Sequence, residues 1–434
     1  MMQRLAVRQL AEFVFRQGDL HPNRQNRAVE AQEGIECQQR IQASRKQDSE
    51  NFEAEVSVRL DLTIDGAATR LAGRIDGLFR AAKGVLRVEE YKATREPGVA
   101  LNPVDWGQCL IYAALLNEQQ SLSTIELAVI YVHPDSLAEQ LFEYSIRADV
   151  AKQSLTLALL CYEVRLRRHR LRCERRVDWM QAREFPFARF RSAQRSMAQQ
   201  VFQSLRDGEH LLLEAPTGSG KSMATIYPAL KLMQPSQQLF FLTNRSTGAD
   251  AALNSLRLIA DSSNPISVVQ LTAREKVCQN EGAPCEPKTC PGCNNYYARA
   301  PYAINRLLEC GIADRVMLQQ VAAEFAVCAF ELSLDLALWA DVIIGDYNYL
   351  FDPFVKLQRF SDASKHLLLI DEAHQLSGRV TAMLSAELAL DTKAVLLDSP
   401  NDDFSAAANG VFDAARAIAS GAGETLSRVI ERPL

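Results

Sequence analysis

Residues 211–225 read LLLEAPTGSGKSMAT, a glycine-rich loop between an apolar run and a helix-forming segment. Glycines at 218 and 220 allow backbone N–H groups to turn inward around phosphate oxygens, and the helix N-terminus adds partial positive charge. We predict that Lys221 reaches the β and γ phosphates of a nucleotide and that the Ser222 hydroxyl holds Mg²⁺. A turn without a ligand is the alternative. The residues predicted to surround the nucleotide phosphates, called here the predicted cradle, are Ala215, Pro216, Thr217, Gly218, Ser219, Gly220, Lys221 and Ser222.

A second motif, LLLIDEAH, occupies residues 367–374 at the end of another apolar run. Asp371 is predicted to hold Mg²⁺ from the far side of the nucleotide. Glu372 is predicted to orient and deprotonate the attacking water, which requires a carboxylate near the γ-phosphate. His374 suits a residue that couples the nucleotide state to the rest of a motor. Two motifs in the correct order predict ATP hydrolysis, with ATP and Mg²⁺ as cofactors.

The segment around these motifs has the pattern of a parallel α/β sheet. From Phe185 onward, short buried strands alternate with helices. A cysteine-rich insertion separates the third and fourth of these strands. Strands are predicted at 211–213, 239–242, 266–271, 342–344 and 367–370.

The insertion contains a cluster of thiols that indicates a metal. Cys278, Cys285, Cys290 and Cys293 lie within sixteen residues, and Cys328 follows. In a reducing compartment, closely spaced thiolates typically bind a metal rather than form disulfides. Zinc is one alternative, but Cys290-Pro-Gly-Cys293 has no matching second pair. Irregular spacing with one remote ligand favours a four-cysteine iron–sulfur cluster. Unligated buried thiols are the remaining alternative.

Five stretches together resemble the XPD/DinG-type superfamily 2 iron–sulfur DNA helicases. They are FRSAQRSMAQQVF, FFLTNRST, LTAREKVC, CAFELSLDLALWADVIIGDYNYLFDP and LLLIDEAHQL, between about 185 and 376. The resemblance implies a RecA-like motor lobe and 5′ to 3′ translocation on single-stranded DNA, in repair or recombination. It also implies a [4Fe–4S] cluster, with Cys293 as a reserve ligand. The implied ligands are Cys278, Cys285, Cys290 and Cys328.

Three further residues acquire roles from the same resemblance. Gln194 is similar to the glutamine that reads adenine in related motors, and an exposed helix residue is the alternative. Thr243 and Arg245 lie where such motors hold the DNA backbone. A hydroxyl and a guanidinium suit contact with phosphates.

The N-terminal part contains AGRIDGLFRAAKGVLRVEEYKAT, which predicts a β-hairpin with a nuclease-like arrangement. A turn at Ala82-Lys83-Gly84 pairs residues whose numbers sum to 166, so Asp76 lies opposite Glu90. Lys92 projects on the same face as Glu90, because strand side chains alternate. Two carboxylates and a lysine could hold Mg²⁺ and stabilise a phosphorane, with a metal-activated water as nucleophile. Solvated charges on an ordinary hairpin are the alternative.

The following helix strengthens the nuclease interpretation. Gln108 and Tyr112 are four residues apart and share a helix face. The order Asp…Glu-x-Lys…Gln-x-x-x-Tyr resembles the RecB-like branch of PD-(D/E)XK nucleases, which implies a mixed sheet flanked by helices and contact with DNA. That branch usually has a histidine metal ligand where this chain has Cys37. A domain that grips DNA without cleaving it therefore remains open.

Between these two regions lies a strongly basic segment. Residues 149–182 predict one long helix, with Asp149 as its N-cap. Residues 165–176 include seven arginines and one acid, Glu174. A solvated helix face is one interpretation, and contact with phosphates is the other.

The fold class that follows is α/β throughout. A PD-(D/E)XK-like domain precedes a RecA-like parallel sheet (a P-loop NTPase lobe) with an inserted iron–sulfur domain. The expected domains are 1–148 (nuclease-like), 149–184 (linker), 185–271 with 341–378 (motor lobe), 272–340 (iron–sulfur insertion) and 379–434 (start of a helical arch).

Composition limits the remaining possibilities. The net charge of the 434 residues is −5, so DNA contact must come from local basic patches. No apolar run reaches the ~18 residues that span a bilayer, and the N-terminus lacks the pattern of a signal peptide. We expect a cytoplasmic protein that does not bind membranes. Its partners are expected to be ATP and single-stranded or branched DNA, and a monomer is expected.

The segment after His374 lacks the Gly-Arg-x-x-Arg pattern of a second motor lobe. We expect a truncated chain that binds nucleotide and DNA weakly and does not unwind a duplex. One alternative is a metal-dependent nuclease whose motor remnant only binds nucleotide. Another is a DNA-binding module without catalysis.

Overall fold

The computed structural model describes residues 2–21, 31–80, 85–120, 122–352 and 366–385, apart from positions 192, 217, 262, 281 and 283. The chain divides into two compact units. The first contains residues 1–347 with 357–371, and the second contains residues 348–356 with 372–434. Each unit is described by itself.

The first sheet of unit 1 is mixed. Its elements are β1 (Gln3–Ala6), α1 (Val7–Phe15), α2 (Ala31–Asp48), β2 (Phe52–Ile64), β3 (Ala67–Arg80), β4 (Leu86–Ala93), α3 (Pro103–Gln120), β5 (Thr124–Val132) and β6 (Glu139–Arg147). The strand order is β1-β3-β4-β5-β6, and β2 pairs with β3. The strands β1 and β3, and likewise β4 and β5, run parallel, whereas the other pairs are antiparallel. This confirms the mixed sheet flanked by helices.

The register of the β3–β4 hairpin confirms the predicted pairing. Gly77 pairs with Glu89 and Phe79 pairs with Arg87, so paired residue numbers sum to 166. The same register places Asp76 beside Glu90 at the end of the ladder. The predicted turn at residues 82–84 lies outside the described residues.

One long helix, α4 (Ala148–Ala182), joins the two sheets of unit 1. Ala151, Leu155 and Ala158 recur at helical spacing and pack into the core of the first sheet. Near the other end, Met180 packs into the core of the second sheet. The helix therefore packs against both sheets of unit 1 as well as connecting them.

The predicted N-cap of this helix was wrong. The N-cap is Arg147, because the chain enters the helix directly from β6. Asp149 lies in the first turn, where its Oδ1 accepts hydrogen bonds from the backbone N–H of Val150 (3.0 Å) and from Arg147 (2.9 Å). A carboxylate at this position is still favourable to the helix dipole.

The second sheet of unit 1 has the strands β7 (Gln238–Leu242), β8 (Val268–Gln270), β9 (Ile312–Ala313), β10 (Val342–Gly345) and β11 (His366–Ile370). It is entirely parallel, with the order β11-β7-β10-β8-β9. This confirms the predicted RecA-like α/β class and four of its five strands. Its helices are α5 (Gln194–Asp207), α6 (Lys221–Leu232), α7 (Ser246–Ile259), α8 (Arg274–Val277), α9 (Tyr296–Cys310), α10 (Arg315–Glu324) and α11 (Ala329–Ala337).

The predicted strand at residues 211–213 was wrong. These residues form no strand, and Leu212 is 92% exposed. A run of three apolar residues between His210 and Glu214 is too short for its pattern to specify a strand, so its apolar composition did not decide its conformation.

The described part of unit 2 is helical. It contains α12 (Asn348–Phe351), a 3₁₀ turn at Ala373–Gln375, and α13 (Leu376–Met383). Most of the predicted arch, from residue 386 onward, lies outside the described residues. Across the described ranges no single helix has the length and apolarity to cross a membrane; only the bent pair α10 and α11, which turns by 111°, passes that test by length and composition.

Candidate functional site

The glycine-rich loop ends directly in α6. Gly220 is the N-cap of this helix with φ 86°, and Gly218 has φ 79°. Both values lie in the left-handed region that glycine enters without strain. Lys221 and Ser222 are therefore the first two residues of α6, where unpaired N–H groups favour an anion. Thr217 of the predicted cradle lies outside the described residues.

The loop folds onto itself through its lysine. Nζ of Lys221 donates to the carbonyl oxygen of Ala215 at 3.1 Å. The Oγ atom of Ser219 is buried and has no hydrogen-bond partner. A buried hydroxyl without a partner is costly, and a phosphate oxygen would satisfy it. The residues of the loop therefore fit a nucleotide phosphate.

Gln194 lies directly against this loop. It is 2% exposed, and its Nε2 donates to the carbonyl oxygen of Gly220 at 3.3 Å. Its Oε1 accepts from the backbone N–H of Arg191 at 3.0 Å. The alternative of an exposed helix residue was therefore wrong. Recognition of adenine stays a prediction, while in this structure the amide supports the loop.

Asp371 follows β11 and lies at the carboxyl edge of the second sheet. Its backbone N–H donates to the carbonyl oxygen of Leu242 at 2.8 Å. Its Oδ2 lies 3.4 Å from the hydroxyl of Thr243. Since α6 packs against β11, the helix of the phosphate loop and the strand before Asp371 are neighbours. This is the arrangement that a Mg²⁺–nucleotide site requires.

A glycine permits this close approach. A Cβ atom on Gly248 would lie 2.3 Å from Oγ1 of Thr243 and 2.7 Å from Oδ2 of Asp371. Thr243 is 5% exposed, so its hydroxyl belongs to the carboxylate site. Arg245, at the N-terminus of α7, is exposed. The predicted DNA contacts of Thr243 and Arg245 stay predictions.

Glu372 and His374 belong to unit 2. Glu372 has φ 52°, a left-handed conformation that is uncommon for a non-glycine residue. Nδ1 of His374 lies 3.4 Å from Oε2 of Glu372. Strain of this kind is typical of functional sites. The predicted roles of both residues stay predictions.

The cysteine-rich insertion brings four of its thiols into electrostatic contact. Burial raises the pKa of the Cys293 thiol, and neighbouring Cys290, Cys328 and Cys285 raise it further. Burial also raises the pKa of Cys328 to about 11. Thiols that resist ionisation together are chemically suited to a cation that stabilises their thiolates. Cys278 follows α8 and is not among the thiols acting on Cys293.

The N-terminal segment holds this insertion directly. The backbone N–H of Leu20 donates to the carbonyl oxygen of Cys293 at 2.8 Å, and Asp19 accepts from the backbone N–H of Asn295 at 2.6 Å. The guanidinium of Arg16 lies 4.3 Å from the ring centre of Tyr297. Nothing in the sequence pattern indicated this contact.

The first sheet carries the predicted nuclease-like cluster. Oδ2 of Asp76 accepts from the backbone N–H of Tyr91 at 2.9 Å. Burial raises the pKa of Asp76, and that hydrogen bond partly offsets the effect. The carboxylate is thus held at the open end of the β3–β4 ladder, next to Glu90.

Glu90 and Lys92 meet above β4. Nζ of Lys92 lies 2.6 Å from Oε1 of Glu90 and 3.4 Å from Oε1 of Gln108. Oε2 of Glu90 is buried without a hydrogen-bond partner. Burial and, to a smaller extent, nearby Asp76 raise the pKa of Glu90 to about 7, although Lys92 opposes the increase. An orphaned carboxylate oxygen beside a second carboxylate is a donor set that fits a divalent cation.

Tyr112 completes the predicted set. It is 4% exposed, and a Cβ atom on Gly73 would lie 2.6 Å from its ring. Burial raises the pKa of its phenol, as do Glu90 and Asp76. The structure therefore brings together all five residues, so the alternative of solvated hairpin charges was wrong. They are Asp76, Glu90, Lys92, Gln108 and Tyr112.

Helix α2 contributes residues that the sequence interpretation missed. Nε2 of Gln38 donates to Oδ1 of Asp76 at 3.0 Å, and Nε2 of Gln42 donates to the carbonyl oxygen of Asp76 at 2.9 Å. Both also donate to Oε1 of Glu55 at 2.8 Å. The four-residue spacing of these glutamines was the available signal. Asp105, 3.8 Å from Nζ of Lys92, was also missed.

Cys37 points elsewhere. It packs with Ile41, Tyr91 and Ile130 in an apolar cluster, and burial raises the pKa of its thiol. The α2 side chain that reaches Asp76 is Gln38. Among the residues that the structure describes, no three His, Cys, Asp or Glu side chains are grouped closely enough to hold a metal ion.

Known helicase families match the part of the chain that carries the phosphate loop and Asp371. Residues 195–278 match the family described as DEAD/DEAH box helicase, and residues 250–392 match the family DEAD_2. A solved structure described as an XPD helicase is 20% identical with a TM-score of 0.37, covering 53% of this chain and 41% of that chain.

Three curated relatives share this region. A regulator of telomere elongation helicase 1 homolog of Caenorhabditis briggsae is 23% identical over 260 residues, covering 50% of this chain and 26% of the relative. A probable ATP-dependent helicase of Methanocaldococcus jannaschii is 20% identical, covering 48% and 32%. The helicase subunit XPD of general transcription and DNA repair factor IIH of Arabidopsis thaliana is 24% identical, covering 47% and 32%. The chain spans about a quarter to a third of each relative's length.

Proposed function

We propose that ATP hydrolysis at the phosphate loop of this chain drives movement along single-stranded DNA. Residues 195–392 belong to the XPD-type superfamily 2 helicases. The observation that carries this proposal is the arrangement of α6 beside β11. The helix that begins at the loop lysine, Lys221, packs against the strand that ends directly before Asp371.

The residues of the loop divide the work on the nucleotide. The left-handed glycines and the N-terminus of α6 bind phosphate oxygens, and Lys221 exchanges its bond to Ala215 for one to the nucleotide. Ser222 and Asp371 would hold Mg²⁺, which supplies charge neutralisation at the phosphates. Glu372 is proposed to orient and deprotonate water, and His374 to pass on the nucleotide state.

ATP turnover with and without single-stranded DNA tests this proposal. Lys221→Ala is expected to abolish turnover, while Lys152→Ala, an exposed lysine on α4, leaves it unchanged. If the wild-type protein turned over no ATP in the presence of DNA, the proposal would be refuted. Strand displacement on substrates with a 5′ or a 3′ overhang then tests the proposed 5′ to 3′ polarity.

The insertion is proposed to hold a [4Fe–4S] cluster through Cys278, Cys285, Cys290 and Cys328, with Cys293 in reserve. The support is the electrostatic contact of Cys285, Cys290 and Cys328 with Cys293. The assignment of Cys278 rests on the sequence resemblance. A second observation is the 3.0 Å hydrogen bond from the Cys328 N–H to the Gly292 carbonyl, which joins the remote cysteine to the local cluster. Such a site would link the two ends of the insertion.

A second candidate function is metal-dependent DNA cleavage at the first sheet. The observation that favours it is the assembly of Asp76, Glu90 and Lys92, with one carboxylate oxygen unsatisfied. Asp76 and Glu90 would hold a divalent cation, which supplies electrophilic stabilisation of the scissile phosphate. Lys92 would stabilise negative charge on that phosphate, and Gln108, whose Oε1 lies 3.4 Å from Nζ of Lys92, would orient the lysine.

Incubation of labelled single-stranded DNA with Mg²⁺ or Mn²⁺ tests the second function. Asp76→Asn and Lys92→Met are expected to remove cleavage, whereas Lys221→Ala retains it, since the two sites are on different sheets. Cleavage that persists in Asp76→Asn would come from a contaminant and would contradict the assignment. A wild type that binds DNA without cutting it would support the DNA-gripping alternative.

A further inference from the structure

A basic cavity lies between α4 and the insertion, and no role described so far uses it. Its volume is about 480 Å³, within the range of small-ligand and cofactor sites. Helix α4 supplies its cationic wall through Arg165, Arg168, Arg172 and Arg175. These residues follow one another at spacings of three, four and three, so they share one helix face. At a rise of about 1.5 Å per residue, the stripe is about 15 Å long.

The cavity is separate from the nucleotide site. Asp341 and Ser267, which anchor Arg172, directly precede β10 and β8, at the amino edge of the second sheet. Thr243 and Asp371 directly follow β7 and β11, at the carboxyl edge. In a parallel sheet these edges are on opposite sides. A ligand in the cavity therefore does not compete with nucleotide at the loop.

One arginine of the stripe is already neutralised by the protein. Arg172 contacts Asp341, the hydroxyl of Ser267 and the carbonyl oxygen of Trp339. His169, 3.2 Å from Arg172, adds no charge, because burial lowers its pKa to about 4 and leaves the imidazole neutral at pH 7. Arg172 is therefore neutralised by an acid of the protein, whereas Arg165, Arg168 and Arg175 form no ion pair within the described residues.

Those three arginines face one acid, Glu309, in the lining. Arg168 and Arg175 are exposed and have no hydrogen-bond or ion-pair partner within the described part of unit 1. Arg165 is half-buried, stacks 4.2 Å from the ring centre of Trp339, and donates to Asn305 at 2.6 Å. Burial, together with the positive charges of Arg172 and Arg168, lowers the pKa of Arg165 to about 10. An anion in the cavity would relieve this repulsion.

We propose that this cavity binds the phosphodiester backbone of single-stranded nucleic acid. Guanidinium groups in a row match consecutive phosphates of one strand, and a recess of this volume admits the phosphates of one strand. The ring of Trp339 is covered by Arg165 on its face and met by His169 edge-on, with ring centroids 5.4 Å apart. Contacts to phosphates carry no sequence information, so binding should be independent of sequence.

The proposal places a binding site for one nucleic-acid strand on α4, the helix that joins the two sheets. We call this site the anchor. This goes beyond the proposed motor, because the anchor needs neither ATP nor a divalent cation. The basic segment noted in the sequence therefore divides by role. Arg167 and Arg170 bind Asp65 of the first sheet, whereas the arginines that face the cavity hold the strand.

Strand binding as a function of salt tests the proposal. Anisotropy of a labelled oligothymidylate of about twenty nucleotides is measured without ATP and with EDTA. Arg168→Gln/Arg175→Gln is compared with Arg4→Gln/Arg59→Gln, which removes two exposed arginines of the first sheet. At about 0.7 per phosphate contact, the slope of log K against log salt should fall by about 1.4 in the cavity variant only. Equal slopes in the two variants would overturn the proposal.

The emission of Trp339 gives a local readout. In a Trp106→Phe/Trp179→Phe background it is the remaining tryptophan, since the chain has three. Oligonucleotide should shift its emission, and Lys221→Ala should leave that shift unchanged, which separates this site from the motor. A shift caused by inorganic phosphate alone, without an effect of the oligonucleotide, would overturn the assignment to a strand and identify a free-phosphate site.

Discussion

Lys92 and Glu90 form an ion pair of 2.6 Å in which only one carboxylate oxygen is used. The other oxygen of Glu90 is buried and has no hydrogen-bond partner, and Asp76 lies nearby on the adjoining strand. Burial disfavours the ionised form of Glu90 more than Lys92 favours it. Lys92 therefore compensates the negative charge of ionised Glu90 only in part, so the stability of the first sheet should depend on pH.

The first prediction concerns this pH dependence. The pKa of Glu90 is raised to about 7 in the folded state, above its usual value, so the folded state binds the additional proton. The stabilising contribution is present at low pH and is lost as pH rises through about 7. Chemical denaturation at pH 5 and pH 8 should show a smaller loss of stability in Glu90→Gln than in wild type. An identical loss in both proteins would contradict the shift.

The second prediction concerns the buried anchor of α4. Asp341 is 1% exposed, and Nε of Arg176, which is 0% exposed, lies 3.3 Å from its Oδ1. Asp341→Asn leaves the charge of Arg176 buried and unmatched, so the free energy of unfolding should fall by about 3 kcal/mol. Asp61→Asn, which breaks an exposed pair with Arg70, should leave the melting temperature nearly unchanged. Equal losses of stability in both variants would show that the buried Asp341–Arg176 pair contributes no more to stability than the exposed Asp61–Arg70 pair.

The third prediction uses two glycines in different surroundings. Gly248→Ala places a methyl group against Thr243 and Asp371, so we expect a loss of about 1–3 kcal/mol and slower ATP turnover. Gly34→Ala, on α2, meets no atom within 4 Å and should stabilise the protein by about 0.5–1 kcal/mol. Unfolding in urea measures both. A neutral Gly248→Ala would mean that Thr243 and Asp371 are not held as closely as described.

The fourth prediction concerns the thiols. Anaerobically purified protein should contain about four irons per chain and absorb near 400 nm. Cys328→Ser should lose the iron, because the remote ligand closes the site, while Cys310→Ser, at the end of α9, should keep it. Comparison of Cys278→Ser with Cys293→Ser identifies the remaining ligand, and we expect the loss in Cys278→Ser. Zinc in place of iron in the wild-type protein would refute the cluster.

Local patterns in the sequence were sufficient for the hairpin and the phosphate loop. The alternation around Asp76 and Glu90 fixes their register, since pairing across a short turn depends only on nearby residues. The left-handed glycines and the helix start at Lys221 follow equally from local preferences. The predicted N-cap of α4 was wrong because the strand before the helix continues directly into it, which side-chain preference alone does not reveal.

Tertiary structure alone decided which distant residues meet. It placed Gln38 rather than Cys37 at Asp76, joined Leu20 to Cys293, and buried Asp341 against α4. It also placed four arginines of the basic segment along one cavity, where Asp341 neutralises Arg172. The physical reason is that charges and hydrogen-bond donors have no sequence period of their own. Their partners are chosen by the packing of apolar faces, which brings together residues far apart along the chain.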